Sequence, residues 1–180
     1  NTPVALEAAA KNALQILEPQ IQRNKIHVRL EGDCLLLHSN EGYIRELFIN
    51  LIDNAIKYNV PGGSVTINVW RNGQHPCVSV SDTGIGIPKD KQGMIFERFA
   101  QVSRAVDSNM KGSGIGLSLC RDIVALHHGE ISVESRPGEG SAFTVVSGPH
   151  RFEARVGAFG RHMVYAALAA AAVGIELGVP

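Results

Sequence analysis

The sequence predicts an α+β fold, a two-layer α/β sandwich whose mixed, mainly antiparallel sheet is covered on one face by helices. Three observations point there. Segments that alternate apolar and polar residues come mostly in adjacent pairs joined by turn residues, the signature of hairpins. Between them lie segments whose apolar residues recur at helical spacing. With 180 residues, 44% of them hydrophobic and 19% charged, the chain has material for one core under a charged surface.

The elements follow in order. Leu6, Ala9, Ala10, Ala13, Leu14 and Leu17 predict a helix from Leu6 to about Ile21, which Pro19 should end or kink. Ile26, Val28 and Leu30 alternate as a half-buried strand, and "CLLLHS" is a short apolar second strand. Ser39 or Asn40 offers an N-cap for a helix running to about Tyr58, where "NVPGGS" breaks it. "SVTINVWRNG" and "PCVSVSD" read as two strands turning at Asn72-Gly73. Residues 89 to 113 are polar and fit a mobile loop serving as a lid. "IGLSLCRDIVALHH" returns to helical spacing and stops at Gly129, read as the C-cap. "EISVESRPGEGSAFTVV" makes a last strand, turn and strand.

Composition excludes some classes of function. Seventeen basic residues balance seventeen acidic ones, so the basic excess of a protein that wraps nucleic acid is missing. Cys34, Cys77 and Cys120 are far apart with no C-x-x-C pair, which suggests neither a zinc knuckle nor a disulfide framework. Reduced thiols in a cytoplasmic compartment are the simplest expectation. No strand is followed by G-x-x-x-x-G-K-[ST], so a P-loop is excluded. The opening "NTPVAL", without an initiator Met or a signal peptide, suggests a segment of something longer.

Four stretches carry candidate chemistry. On the central helix Glu46, Asn50, Asn54, Lys57 and Tyr58 fall mostly on one stripe. That stripe is either a solvated face or a site for a magnesium phosphate, because an amide carbonyl is an oxygen ligand that adds no charge. "SDTGIGIP" is either a turn that needs Gly84 and Gly86 or a carboxylate, Asp82, placed to accept from an exocyclic amine of adenine. "KGSGIGLSLC" places Gly112, Gly114 and Gly116 before a helix, beside Lys111, as a hinge or an anion site. In "IFERFAQ", Phe96 and Phe99 bracket Arg98, so buried rings would leave its guanidinium free.

Taken in order, these stretches resemble the catalytic, ATP-binding domain of sensor histidine kinases, in the wider group of DNA gyrase B, heat-shock 90 chaperones and MutL. The asparagine box is "NLIDNAIKY", the first glycine box "DTGIGIP", the phenylalanine box "FERF" and the second glycine box "GSGIGLS". The resemblance spans residues 4 to 146, with 28 positions from Asn54 to Asp82 and 30 from Asp82 to Gly112. It implies ATP and Mg²⁺ as cofactors. Asn54 would ligate Mg²⁺ with Asn50 close by, Lys57 would reach a phosphate, and Tyr58 would pack against the nucleotide. Asp82 would accept from the adenine amine, with Gly84, Gly86 and Ile87 shaping the pocket and Ser141 behind the base. Lys111, Gly112, Gly114 and Gly116 would cradle phosphates, Leu117 would lie near the base, and Arg98 would belong to the lid and the catalytic set.

Hydrolysing members of that group carry a glutamate four residues before the magnesium asparagine. Here that position is Asn50, an amide without useful basicity, which favours phosphoryl transfer over hydrolysis. None of the seven histidines (His27, His38, His75, His127, His128, His150 and His162) sits in an "H-E-[LI]-R-T-P-L" setting, and the pair at 127–128 reads as a helix-dipole contact. A phosphoacceptor and dimerisation domain is therefore expected upstream. A response regulator receiver domain is expected as downstream partner, a homodimer as the full-length state, and no nucleic acid as ligand. Alternatives are a nucleotide-binding signalling scaffold without turnover and a serine-directed anti-sigma-type kinase. The expected domain covers residues 1–148. Residues 149–180, with the uncharged run Met163 to Gly174, form an extension of unassigned role that is too short to span a bilayer.

Overall fold

The computed structural model describes residues 2–100 and 114–148. Lys111, Gly112 and the expected extension at 149–180 lie outside the described residues. The element order is β1 (Thr2–Ala5), α1 (Leu6–Asn24), β2 (His27–Gly32), β3 (Leu36–Ser39), α2 (Glu41–Lys57), β4 (Ser64–Asn72), β5 (His75–Asp82), α3 (Lys89–Gln92), α4 (Gly116–Leu126), β6 (Glu130–Arg136) and β7 (Gly140–Val146). A five-stranded sheet runs β2-β4-β5-β7-β6, with β2 parallel to β4 and the other neighbours antiparallel. This is the mixed, mainly antiparallel sheet that the alternation predicts.

Side-chain parity decides which face the helices cover. Val65, Ile67 and Val69 of β4, Val78 and Val80 of β5, and Phe143 and Val145 of β7 join one buried core with Phe48, Leu51, Ile52 and Ile56 of α2. Thr66, Asn68, Ser79, Ser81 and Thr144 point to the opposite face, as period two requires. Helix α2 lies between α1 and α4 in the helical layer. Ends of strands and ends of helices thus meet along one rim, between the two layers.

Three local expectations need correction, and one strand was not expected. Pro19 does not end α1, which continues to Asn24 with Pro19 inside it. Leu17 and Ile21 on either side are buried, and their packing outweighs the bond lost at the exposed proline. Residues Thr2–Ala5 form a strand of their own, pairing antiparallel with β3 in a separate two-stranded sheet. Part of the polar stretch after Pro88 is folded: α3 is followed by a buried Ile95 and by Phe96, edge-to-face on Phe143 at 6.3 Å.

Finally, α4 is closed by His128 at φ 51, with His128 N–H bonded to Ala125 O and Gly129 N–H to Val124 O. Gly129 is required for another reason: a Cβ there would run into Val146 O at the end of β7. His127 also does more than face the helix dipole. Its Nδ1 donates to Ile123 O at 2.8 Å, leaving Nε2 to meet the buried Ser39 hydroxyl at 2.8 Å, just ahead of α2.

Candidate functional site

The first wall of the site is the C-terminal half of α2. Asn40 caps the helix by accepting from Gly42 N–H at 2.8 Å, which sets the register of the polar stripe. Asn50 donates from Nδ2 to Glu46 O at 2.8 Å, which turns its carbonyl outward. That carbonyl faces the start of α4, where a Cβ on Gly116 would stand 2.6 Å from Oδ1. Asn50 can come this close to α4 because residue 116 has no side chain.

One turn further along α2, the partly buried Asn54 has no side-chain hydrogen bond among the described residues. Lys57 Nζ lies 5.3 Å over the Tyr58 ring and has no carboxylate partner among them. The Tyr58 phenol is pushed above its ordinary range by burial and, less, by the charge of Asp53.

The second wall is the loop leaving β5. Asp82 Oδ1 accepts from Gly84 N–H at 2.8 Å and from Ser141 N–H at 3.3 Å. Its other oxygen has no hydrogen bond among the described residues. Burial raises the carboxyl above its ordinary range, and the Gly84 and Ser141 N–H groups act against that rise. Gly84 and Gly86 are needed by protein neighbours: a Cβ would run into Tyr58 O at Gly84 and into Arg136 O at Gly86, where φ is +68°. The loop is therefore pressed onto the end of α2 on one side and onto β6 on the other. Ile85 N–H donates to Tyr58 O at 3.0 Å, and Gly138 N–H to Ile85 O at 2.8 Å. The glycines of this loop permit its packing, and the pocket shape follows from that packing.

The third wall is the N-terminus of α4, whose first turn carries amides without intrahelical acceptors. Gly114, at φ +70°, accepts from Phe99 N–H at 2.8 Å, so the chain ends flanking residues 101–113 are tied together. Leu117 is partly buried and packs on the core, as does Ile87. Arg98 departs from expectation: its guanidinium is paired with Asp122 of α4 at 3.3 Å rather than free. Both partners are exposed, so the pair holds weakly.

Sequence reasoning passes over several residues that build these walls. Thr83 Oγ1 accepts from Ser64 N–H at 2.9 Å and meets Asn59 Oδ1 at 3.3 Å, which sews the loop to the turn after α2. Gly140, at φ +96°, lets β7 start directly against Asp82 O. The spacing of Gly138 and Gly140 in "RPGEGS" was the available signal for the latter, and Asn59 and Thr83 carry none of their own.

The walls fit a magnesium nucleotide. A partly buried carboxylate oxygen without a donor among the described residues suits an exocyclic amine. An accessible amide carbonyl at Asn54 suits a hard cation, and a cation at Lys57 with no carboxylate suits phosphate.

Comparison with known proteins supports the nucleotide, at the level of family. Residues 39–150 match the family described as histidine kinase-, DNA gyrase B- and HSP90-like ATPases. The chain belongs to that family. Within it, the chain is similar to sensor histidine kinases and is an ATP-binding catalytic domain of that type. It is 35% identical over 147 residues to the circadian input-output histidine kinase CikA of Synechococcus elongatus, covering 79% of this chain and 20% of that protein. It is 48% identical over 108 residues to the adaptive-response sensory kinase SasA of Crocosphaera subtropica, covering 59% of this chain and 28% of that one.

The mycobacterial sensor histidine kinase MprB shares the fold with a TM-score of 0.72 and 25% identity, over 82% of this chain and 96% of that chain. Histidine kinase ThkA, solved in complex with response regulator protein TrrA, superposes with a TM-score of 0.67 and 26% identity, over 81% of this chain and 41% of that chain. Among the described residues no helix is long and apolar enough to cross a membrane.

Proposed function

We propose that this domain transfers the γ-phosphoryl group of ATP, bound with Mg²⁺, to a histidine on a separate phosphoacceptor and dimerisation domain. It would then be the catalytic arm of a two-component sensor kinase whose full-length form is a homodimer. The observation that carries this reading is Asn50. Hydrolysing members of the group it resembles carry a glutamate four residues before the magnesium asparagine, and the residue at that position here is an amide. Catalysis without water activation rests on positioning and charge neutralisation, which the three walls supply.

In this reading Asp82 holds the adenine amine, with Ser141 behind the base and Tyr58 and Leu117 beside the nucleotide. Asn54, with Asn50 near it, would hold a Mg²⁺ ion, which neutralises phosphate charge when bound. Lys57, Lys111, and the amides of Gly112, Gly114 and Gly116 would hold phosphate oxygens. Arg98 would act only after release from Asp122. The complex of ThkA with a response regulator supports a receiver domain as the next acceptor in the relay.

The test is labelled ATP supplied to this chain alone and with a histidine phosphoacceptor domain from a sensor kinase. Label is expected on the supplied domain and not on the chain itself. Label on the isolated chain would overturn the assignment of the acceptor to another domain. Nucleotide binding without transfer to any supplied domain would favour a scaffold.

A further inference from the structure

Ile87, next to last in the first glycine box, is held at both its N–H and its carbonyl by two side chains outside the four motifs. Its N–H donates to Ser135 Oγ at 2.7 Å, and its carbonyl accepts from Gln92 Nε2 at 2.9 Å. The same Nε2 donates its second proton to Ser135 O at 2.8 Å. Ser135 Oγ in turn donates to Gly140 O at 2.8 Å and lies 3.0 Å from Ser141 Oγ.

Counting protons makes the cluster specific. The Ser135 hydroxyl has one proton and two lone pairs. With the proton given to Gly140 O, the lone pairs take Ile87 N–H and the Ser141 hydroxyl. Ser141 therefore points its proton at Ser135 and keeps its acceptor side for the pocket, where its own N–H already holds Asp82 Oδ1. Gln92 uses both Nε2 protons on carbonyls, a task that a carboxylate of the same shape cannot perform. The loop from Asp82 to Ile87 is thus fixed at one end by the Asp82 carboxylate and at the other by this cluster, with Gly86 at φ +68° between them.

We propose that Gln92 and Ser135 are positioning residues for adenine recognition, holding the loop so that the unpaired oxygen of Asp82 faces the base. The inference rests on the adenine role of Asp82 and deepens it. Without the cluster the loop end would have to be ordered at the cost of binding, and that loss would fall on the base rather than on the phosphates. Neither residue touches the reacting atoms.

The experiment compares ADP with inosine diphosphate, which carries a carbonyl in place of the exocyclic amine. Binding of both to the full chain is measured by calorimetry for wild type, Gln92→Glu, Ser135→Ala and Ser135→Thr, alongside each variant's Tm. Wild type is expected to prefer ADP. In Gln92→Glu and Ser135→Ala that preference should shrink by about three- to tenfold, the scale of one or two hydrogen bonds, with inosine diphosphate affinity nearly unchanged. Ser135→Thr keeps the hydroxyl and should restore the preference. An unchanged ratio in both variants overturns the proposal, as does a parallel loss of both nucleotides with a fall in Tm, which marks a merely structural role. Absence of any preference in wild type overturns the adenine reading of Asp82 itself.

Discussion

At the scale of single residues the site stores a cost. Burial disfavours the ionised form of Asp82, whose folded pKa lies above its ordinary 3.8. The folded state therefore binds the proton more tightly than the unfolded chain. Asp82 favours folding fully below 3.8, and that contribution is lost as pH rises through its folded pKa. At neutral pH the ionised carboxylate then weighs against the unliganded fold. Asp82→Asn keeps the shape and an acceptor for Gly84 N–H while removing the charge. It is expected to raise the Tm of the unliganded domain by about 1–3 °C. The same change should weaken ADP binding by about 10- to 100-fold, the value of a charge-assisted hydrogen bond. Differential scanning fluorimetry and calorimetry check the two halves, and a Tm that falls would contradict the sign. pH gives an independent check, since the base amine selects the ionised carboxylate. ADP affinity of wild type should decline more steeply on acidification than that of Asp82→Asn, because both share the titration of the ADP phosphate and only wild type has the carboxyl, read by binding titrations at stepped pH.

Elements meet in this site through contacts that only glycine allows, and this limits what the sequence can disclose. The stripe on α2 was legible, because a 3.6-residue period puts Asn50, Asn54 and Lys57 on one side whatever the fold. The pairing of that stripe with α4 was not, because it depends on a missing Cβ at Gly116, 66 residues beyond Asn50. The hairpins were legible from alternation and from Asn72-Gly73. Strand β1 was not, since four residues without a turn carry no periodic signal and its partner β3 lies beyond α1. The cap of α4 was misread because Gly129 is the usual residue for a left-handed turn, yet His128 takes that conformation and Gly129 serves the strand beside it. Gln92 and Ser135 left no mark because their role lies in bonds to backbone groups 43 and 48 residues away. The Asn50–Gly116 contact can be tested as a cycle. Gly116→Ala puts a Cβ within 2.6 Å of an amide anchored to Glu46, and is expected to cost about 1–2 kcal/mol in urea unfolding. In an Asn50→Ala background the same substitution should cost about 1 kcal/mol less, and equal costs in both backgrounds would separate the two residues.

On the scale of the whole molecule, the three walls belong to different parts of the chain, and the nucleotide would be the piece that touches all of them. Helix α2 carries the amides and the lysine, the loop after β5 carries Asp82, and α4 carries the free amides of its first turn. Ties between the walls among the described residues include Tyr58 O to Ile85 N–H, Thr83 Oγ1 to Asn59 Oδ1, and Asn50 against Gly116, while Ser141 N–H of β7 holds Asp82. A ligand bridging the walls binds only when they are assembled, so it stabilises the folded state by mass action. At a free ADP concentration of about 100 times Kd that amounts to about 2.7 kcal/mol. For a domain of this size the corresponding rise in Tm is about 5–12 °C. The contrast between variants decides what the rise reports. Asp82→Asn starts from a slightly higher Tm, yet at the same ADP concentration it should gain only a small part of the shift, because its ligand no longer saturates. Asn54→Ala should lose the additional shift that Mg²⁺ gives with ATP, while keeping the shift given by ADP without metal. A domain whose Tm rises equally in all three proteins would be binding nucleotide somewhere other than between these walls.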